Sequence, residues 1–353
     1  MLSLLLSILI EVTPKAHAWA GRGHDVICEV SVHLLKEEGL KQALLNKGWV
    51  LGDLCNKPDT YWRSLSSEIT SAGNPTHYFE PDAVGISIKD VPADWSAFVK
   101  LAQGRQHTIK QKPVDDVHLA VGSSWWRVDQ FMRRMADLKN EFAKSAPPTN
   151  PNEEQSDSLP YNKATYELIV NMGLMGHFIG DMSQPLHTTA DYDGWARGHG
   201  GIHSWYEDTL VAHLGTDLEH QVFKKAKSLS KSAFLKGAPI ERMRKLTEIT
   251  YSELDLIYKH DPVITKSTES REKGMSFRTP AVRKAPSSVI KKYEPIIVTQ
   301  LARASALLAS LMDEAYVSAG RPDLTKYRSF RYPHMPEFVP PDYLKPVQAP
   351  KNQ

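Results

Sequence analysis

The chain has 353 residues, of which 41% are hydrophobic and 24% charged. This length and composition are sufficient for a sizeable core, arranged as one large domain or two small ones. The formal net charge is only +2, which excludes a strong general attraction to polyanions. Any affinity for phosphate must therefore come from a local site.

Residues 1–18 have the pattern of a secretory signal peptide. An apolar run over residues 2–10, too short to span a bilayer, precedes Ala16-His17-Ala18, which has the spacing of an A-x-A cleavage site. We predict that cleavage after Ala18 releases a secreted or periplasmic protein whose first residue is Trp19.

Apolar periodicity further along predicts an all-α fold, without internal repeats, β-alternation or a Gly-rich phosphate loop. Helices are expected over residues 25–35, 92–110, 114–144, 162–182, 203–214, 217–232, 239–258 and 287–317. Pro58 is expected at a helix start or a turn. We predict one helical-bundle domain over residues 19–320.

Three segments between and after these helices have the composition of loops. Residues 146–160 are polar and proline-rich, and are expected to join two helices of the bundle. Residues 262–286 form a polar, basic segment that we interpret as a loop. Residues 321–353 form a proline-rich tail that is expected to extend over the surface.

The two cysteines, Cys28 and Cys55, leave two alternatives open. They can pair in an oxidising compartment, or remain two buried thiols. The chain has no CxxC motif, which disfavours a zinc site built from thiolates.

Residues 177–187, His-Phe-Ile-Gly-Asp-Met-Ser-Gln-Pro-Leu-His, contain the first candidate site. His177 and Asp181 are four residues apart and share one helical face, which suits zinc. Pro185 is expected to end the helix, with His187 just beyond it. The alternative is a buried helix with one hydrogen-bonded histidine.

A second pair with the same spacing, His203 and Glu207, occurs on a separate predicted helix. Two such pairs with His187 between them favour metal binding, because facing helices of a bundle build metal sites in this way.

These motifs, together with Trp19-Ala-Gly-Arg-Gly-His24, resemble the class I zinc nuclease family. This family comprises fungal single-strand-specific nucleases and plant bifunctional nucleases that also act as 3′-nucleotidases. It shares a helical fold and a trinuclear zinc site with bacterial zinc-dependent phospholipases C. The resemblance extends from Trp19 to about Asp208.

The resemblance implies three Zn²⁺ ions per chain. Their expected ligands are Asp59, His77, His177 and Asp181 for the first ion; the amino group and carbonyl of Trp19, His24 and a bridging Asp181 for the second; and His187, His203 and Glu207 for the third.

The activity implied is that of an endonuclease and 3′-nucleotidase acting on single-stranded RNA or DNA. A metal-activated hydroxide would attack phosphorus, with Asp59 and Asp181 acting through the metals. Arg63, four residues after Asp59, is expected to reach a phosphate oxygen. We expect a monomer without an obligate protein partner.

Several departures from the nuclease pattern support a phospholipase C instead. Glu207 and the 16-residue spacing from His187 to His203 are closer to the phospholipases, and Trp62 occupies the place of a basic residue of the nucleases. The five-residue spacing of Trp19 and His24 is nuclease-like. A non-catalytic zinc-binding protein is a third alternative.

Three aromatic residues near these ligands, Tyr78, Tyr192 and Trp195, have three possible roles. They could stack on bases, line an apolar slot for lipid, or pack in the core.

Overall fold

A computed structural model describes residues 19–272, 275–328 and 334–344 of the chain. The predicted signal peptide and the end of the tail lie outside this range. The chain is mostly helical, with 64% helix and 5% strand, which confirms the helical character predicted from the sequence.

The described residues form fourteen α-helices, joined by short 3₁₀ segments and by one π-helix at Trp205–Leu210. The α-helices are α1 Ala20–Leu34, α2 Glu38–Leu44, α3 Gly48–Thr60, α4 Ser67–Gly73, α5 Trp95–Ala102, α6 Val117–Val121, α7 Ser124–Lys144, α8 Pro151–Glu154, α9 Pro160–Met182, α10 Ile202–Ser204, α11 Leu218–Ser228, α12 Pro239–Tyr251, α13 Leu254–His260 and α14 Ile290–Ser318.

Helix α9 is the centre of the fold. It packs against α1, α3, α7, α12 and α14, and every residue from 168 to 182 is buried. A helix enclosed on all sides must be apolar around its whole circumference, as the sequence of this stretch largely is. The polar residues His177 and Asp181 within it therefore require a compensating interaction.

Two glycines on α9 allow α1 and α3 to approach closely. A Cβ atom at Gly176 would overlap the sulfur of Cys28 on α1, and one at Gly173 would overlap the Cβ of Leu54 on α3. Any larger side chain at these positions would force the helices apart. The close approach brings side chains of three helices to a common point.

A disulfide joins Cys28 and Cys55, with their Cα atoms 6.5 Å apart. It links α1 to α3 next to Gly176 and settles the alternative that the sequence left open. Both residues are fully buried, so the bond belongs to the core.

The segment over residues 262–286 is not a loop, and this expectation was wrong. It contains four strands in two antiparallel pairs: β1 Val263–Thr265 with β4 Val282–Arg283, and β2 Thr268–Glu272 with β3 Met275–Thr279. Where the structure describes their side chains, most are exposed. Because neither face of these ribbons is buried in a core, the sequence has no apolar alternation to reveal them.

Some helix boundaries also differ from those expected. The helix expected over 114–144 is divided into α6 and α7 at Gly122, which has φ 82° and lies where a Cβ would overlap the Tyr78 carbonyl. Pro58 lies within the last turns of α3 rather than at a helix start or turn. A proline has no backbone N–H, so at this position α3 loses one hydrogen bond close to its C-terminal end.

The tail packs on the helices instead of standing away from them. The Trp62 indole donates a hydrogen bond to the Pro336 carbonyl at 3.0 Å, and its ring contacts Phe338. The buried guanidinium of Arg127 on α7 donates to the Val339 carbonyl. Trp62 therefore anchors the described part of the tail to the helices.

Helix α14 packs against α1, α7, α9 and α11 and closes the core, as expected. Among the described helices it alone is long and apolar enough to cross a membrane, judged by length and composition. However, 72% of its apolar window is buried within the protein.

Replacing both cysteines by alanine should lower the free energy of unfolding. The disulfide closes a loop of 27 residues, for which chain entropy gives about 3.5 kcal/mol. Urea unfolding without reductant would measure the difference in free energy between the unmodified protein and the double variant. In dithiothreitol, which reduces the disulfide, this difference should become smaller. Equal stability without reductant would contradict a stabilising disulfide.

Candidate metal centre

The structure brings together all eight side chains that the sequence nominated as metal ligands. They come from seven separate elements, listed in chain order: His24 on α1, Asp59 on α3, His77 on the 3₁₀ turn Asn74–His77, His177 and Asp181 on α9, His187 on the 3₁₀ turn Pro185–Thr188, His203 on α10 and Glu207 on the π-helix. Each of them is buried.

These side chains form three groups that could hold metal ions. The groups are His24, Asp59 and His177; His77, His177 and Asp181; and His187, His203 and Glu207. Within each group the donor atoms lie within 4.8 Å of one another. The third group has the predicted membership, whereas the first two overlap at His177, so the division of ligands between two ions stays a prediction.

Asp181 lies between the donors of the first two groups. Its Oδ1 is 3.4 Å from Nε2 of His24, while its Oδ2 is 3.2 Å from Nδ1 of His77 and 3.3 Å from Nε2 of His177. The two oxygens thus face different imidazoles, as those of a bridging carboxylate must. Neither oxygen has a well-formed hydrogen bond within the described residues.

The charge states of these residues suit a cation. Burial alone would raise the pKa of Asp181, but the imidazole of His177, followed by those of His24 and His77, holds that pKa well below its usual value. Burial lowers the pKa values of His177 and His77. The site thus combines a carboxylate with neutral imidazoles, which are the forms that bind metals.

Hydrogen bonds to backbone carbonyls fix the imidazole tautomers in the third group. Nδ1 of His187 is 2.7 Å from the His77 carbonyl, and Nδ1 of His203 is 3.2 Å from the Tyr192 carbonyl. Since a carbonyl only accepts, both Nδ1 atoms must donate, and each neutral ring then has its lone pair on Nε2.

These two Nε2 atoms lie 3.0 Å apart, and Nε2 of His203 is 3.0 Å from Oε2 of Glu207. Lone pairs facing one another at this distance repel unless a proton or metal ion lies between them. Burial acts to lower the pKa of His187, yet Glu207 raises it overall, so the group attracts a cation. Donors of a tetrahedral zinc lie about 3.3–3.6 Å apart, close to the spacings here.

Some of the nominated ligands retain slight exposure. His24, His177, Asp181 and Glu207 are completely buried, whereas the other four nominated ligands retain 3–6% exposure. Arg63 lies beside the first group, with its Nη2 3.0 Å from Oδ1 of Asp59. It lines a small depression together with Asn74 and His77, a position from which it can meet an anion.

Trp19 is held beside the first two groups. Its indole nitrogen donates to the Gly180 carbonyl at 2.9 Å and to Oγ of Ser183 at 3.0 Å, so the residue packs next to Asp181. Its carbonyl accepts a hydrogen bond from the Gly23 nitrogen. Ligation of a metal by the Trp19 amino group stays a prediction.

The sequence did not identify the groups that orient the ligands. Gln184, fully buried, donates from Nε2 to Oε2 of Glu207 at 2.9 Å. Nδ1 of His177 lies 2.8 Å from the Cys55 carbonyl. Gln184 could have been suspected from its place between Asp181 and His187, but a backbone carbonyl leaves no signal in the sequence.

The three aromatic candidates have different surroundings. Tyr192 is 48% exposed, with its ring 5.7 Å from that of His203. The guanidinium of Arg278 lies over the ring of Trp195 at 5.0 Å. Tyr78 is partly buried, and its hydroxyl donates to the Leu119 carbonyl. Tyr192 and Trp195 are thus placed to meet a ligand, while Tyr78 supports the α6 turn.

No family model matches this chain, and no curated protein matches it. The assignment of the site therefore depends on its residues and their geometry.

Changing one ligand at a time should separate the metal groups. We expect His187→Ala to lose about one metal ion per chain, since His187 belongs only to the third group. We expect His177→Ala to weaken two. Metal analysis of purified protein would show this, with the exposed His213→Ala as control. Equal metal content in both ligand variants would contradict the grouping.

An extra glycine before Trp19 should remove the metal ion that the amino group is predicted to hold. The added residue converts the amine to an amide, which is a poor ligand. Metal content and activity would be compared with those of a chain beginning at Trp19. Full occupancy and activity in the extended chain would refute ligation by the amine.

Proposed function

We propose that this protein is a zinc-dependent phosphate-ester hydrolase that cleaves single-stranded RNA or DNA and also acts as a 3′-nucleotidase. In this proposal the chain has the helical fold of the class I zinc nucleases and binds three zinc ions. The observation that carries the proposal is the presence of three buried groups of imidazole and carboxylate donors, with Arg63 paired to Asp59 of the first group.

Zinc fits the donor set, because all the nominated side chains offer imidazole nitrogen or carboxylate oxygen. Zinc ions held there would lower the pKa of a water molecule and offset negative charge on phosphate oxygens. Asp59 pairs with Arg63, while bound cations would offset the charge of the buried Asp181 and Glu207 carboxylates, which favours loaded over empty sites.

The remaining chemistry depends on how the chain positions its own groups. Asp59 orients the Arg63 guanidinium, which lines the depression beside His77 and from there can bind a phosphate oxygen. Gln184 fixes the orientation of Glu207, and backbone carbonyls fix the imidazole rings. Because these supports are buried, the site is preorganised before substrate arrives.

The same proposal places the protein outside the cytoplasm, in the periplasm or the extracellular medium. A disulfide in the core is typical of oxidising compartments, and the leader predicted for residues 1–18 agrees with export. We propose that it acts as a monomer, without an obligate protein partner.

A phospholipase C is the second candidate. It is supported by Glu207 and by the short spacing between His187 and His203, together with the exposed apolar residues Ile264, Phe277 and Val282. The exposed Tyr192 ring beside His203 favours a nucleotide instead, because bases stack on aromatic rings.

Hydrolysis assays on three substrates would test the proposal. We expect the zinc-loaded protein to release acid-soluble nucleotides from denatured DNA and phosphate from 3′-AMP, and to leave phosphatidylcholine intact. A chelator or Asp181→Asn should reduce both activities by at least about a hundredfold, whereas His213→Ala should not.

Release of phosphocholine alone would replace the nuclease with the phospholipase. Absence of activity on all three substrates, with zinc bound, would overturn both enzymes.

A further inference from the structure

We propose that residues 262–272 and 275–286, which contain β1–β4 and are called the arm below, bind single-stranded nucleic acid beside the third metal group. This inference rests on the proposed function and identifies how a polymeric substrate would be held beyond the cleaved phosphate. Four observations support it: the arm's position, the anchoring of its base, its side chains and its charge.

The base of the arm is docked on the segment that leads into His203. The Ser267 nitrogen donates to the Gly198 carbonyl at 3.0 Å, and the Gly200 nitrogen donates to the Ser267 hydroxyl at 2.9 Å. The Ala281 nitrogen donates to the Gly200 carbonyl at 3.0 Å. These bonds attach both sides of the arm three to five residues before the metal ligand.

A buried ion pair makes this attachment rigid. Arg283 on β4 donates to both oxygens of Asp261, at 2.8 and 3.0 Å, and also to the His199 and Gly200 carbonyls. The Asp261 carboxylate is completely buried and lies 2.8 Å from Nδ1 of His199. A bidentate pair enclosed in this way holds its partners in one geometry, so the base of the arm is fixed beside the segment that leads into His203.

Aromatic residues connect the arm to the third metal group. Asp193 accepts hydrogen bonds from the Trp195 indole at 2.7 Å and from the His203 backbone nitrogen at 3.1 Å. Tyr192, the preceding residue, packs its exposed ring against His203. Trp195 is thus linked through Asp193 to the backbone of His203, a predicted zinc ligand, and Tyr192 contacts the His203 ring directly.

The arm adds a cation and an exposed aromatic ring to this surface. Arg278 lies over the Trp195 ring and pairs with Glu269 on the neighbouring strand at 3.3 Å, while half of its side chain remains exposed. Phe277 is 50% exposed. Arginine and aromatic rings together are the side chains on which single-stranded nucleic acids stack without sequence preference.

The charge of the arm selects a polyanion. Apart from Arg283, whose charge is paired with Asp261, the arm contains four lysines and arginines but only two glutamates, whereas the whole chain carries a formal charge of only +2. The arm therefore concentrates the positive charge that the rest of the protein lacks. A zwitterionic phospholipid would gain little from this excess, but each phosphate of a nucleic acid strand would.

Binding and hydrolysis by Arg278→Ala would test the arm. The probe is a fluorescent phosphorothioate oligothymidylate, which is cleaved slowly, with zinc-loaded protein. We expect Kd to rise about five- to tenfold and the slope of log Kd against log salt to fall by about 0.7. The kcat/KM for 3′-AMP should stay within about twofold, because the arm is proposed to hold the part of a polymer beyond the cleaved phosphate, which a mononucleotide lacks.

Two further variants sharpen the comparison. Arg278→Lys keeps the charge without the planar stacking surface and should recover part of the affinity. Lys227→Ala removes another exposed cation over an aromatic ring, that of Phe223 on α11, from a helix that contributes no metal donor. This control should bind the oligonucleotide as the unmodified protein does.

Each outcome bears on the arm separately from the proposed function. Weaker oligonucleotide binding by Arg278→Ala would support the arm even if 3′-AMP were not hydrolysed, in which case the proposed function alone fails. Unchanged binding, or an equal loss of 3′-AMP hydrolysis, would overturn the arm. Arg278-dependent binding to phosphatidylcholine vesicles without oligonucleotide binding would also overturn it, in favour of a membrane.

Discussion

The close approach of α1 and α3 to α9 is the constraint on which the rest of the structure depends. Side chains such as His24 and Asp59 are short, so they reach Asp181 and His177 of α9, respectively, only if the helices are nearly in backbone contact. Glycines on α9 permit this contact: a Cβ at Gly180 would already press on the His24 ring at 3.0 Å. The first two metal groups are thus a consequence of helix packing.

Close packing alone would be unfavourable, because it buries three carboxylates in an apolar interior. Each of Asp59, Asp181 and Glu207 is nearly or completely buried, and isolated buried charges are costly. Arg63 pairs with Asp59, and bound cations would offset the remaining charge. Metal binding and folding are therefore expected to be coupled in this protein.

The sequence could predict those parts of the site whose residues are close together along the chain. His177 with Asp181, and His203 with Glu207, were found from helical spacing. Asp59 lies on an element without such a partner, so it came from a family resemblance. The strands over residues 262–286 were missed because they lack a buried face. The carbonyls that orient the imidazoles were invisible, since every residue has one.

The disulfide would connect the oxidation state of the core with the zinc affinity of the proposed sites. Cys28 lies one helical turn after His24, and Cys55 lies one turn before Asp59. With the bond closed, these two ligands are held near each other before any ion arrives, so less conformational entropy is lost on binding. By linkage, bound zinc should in turn protect the bond from reduction. The protein would then hold zinc most firmly in oxidising surroundings and release it more readily in reducing ones.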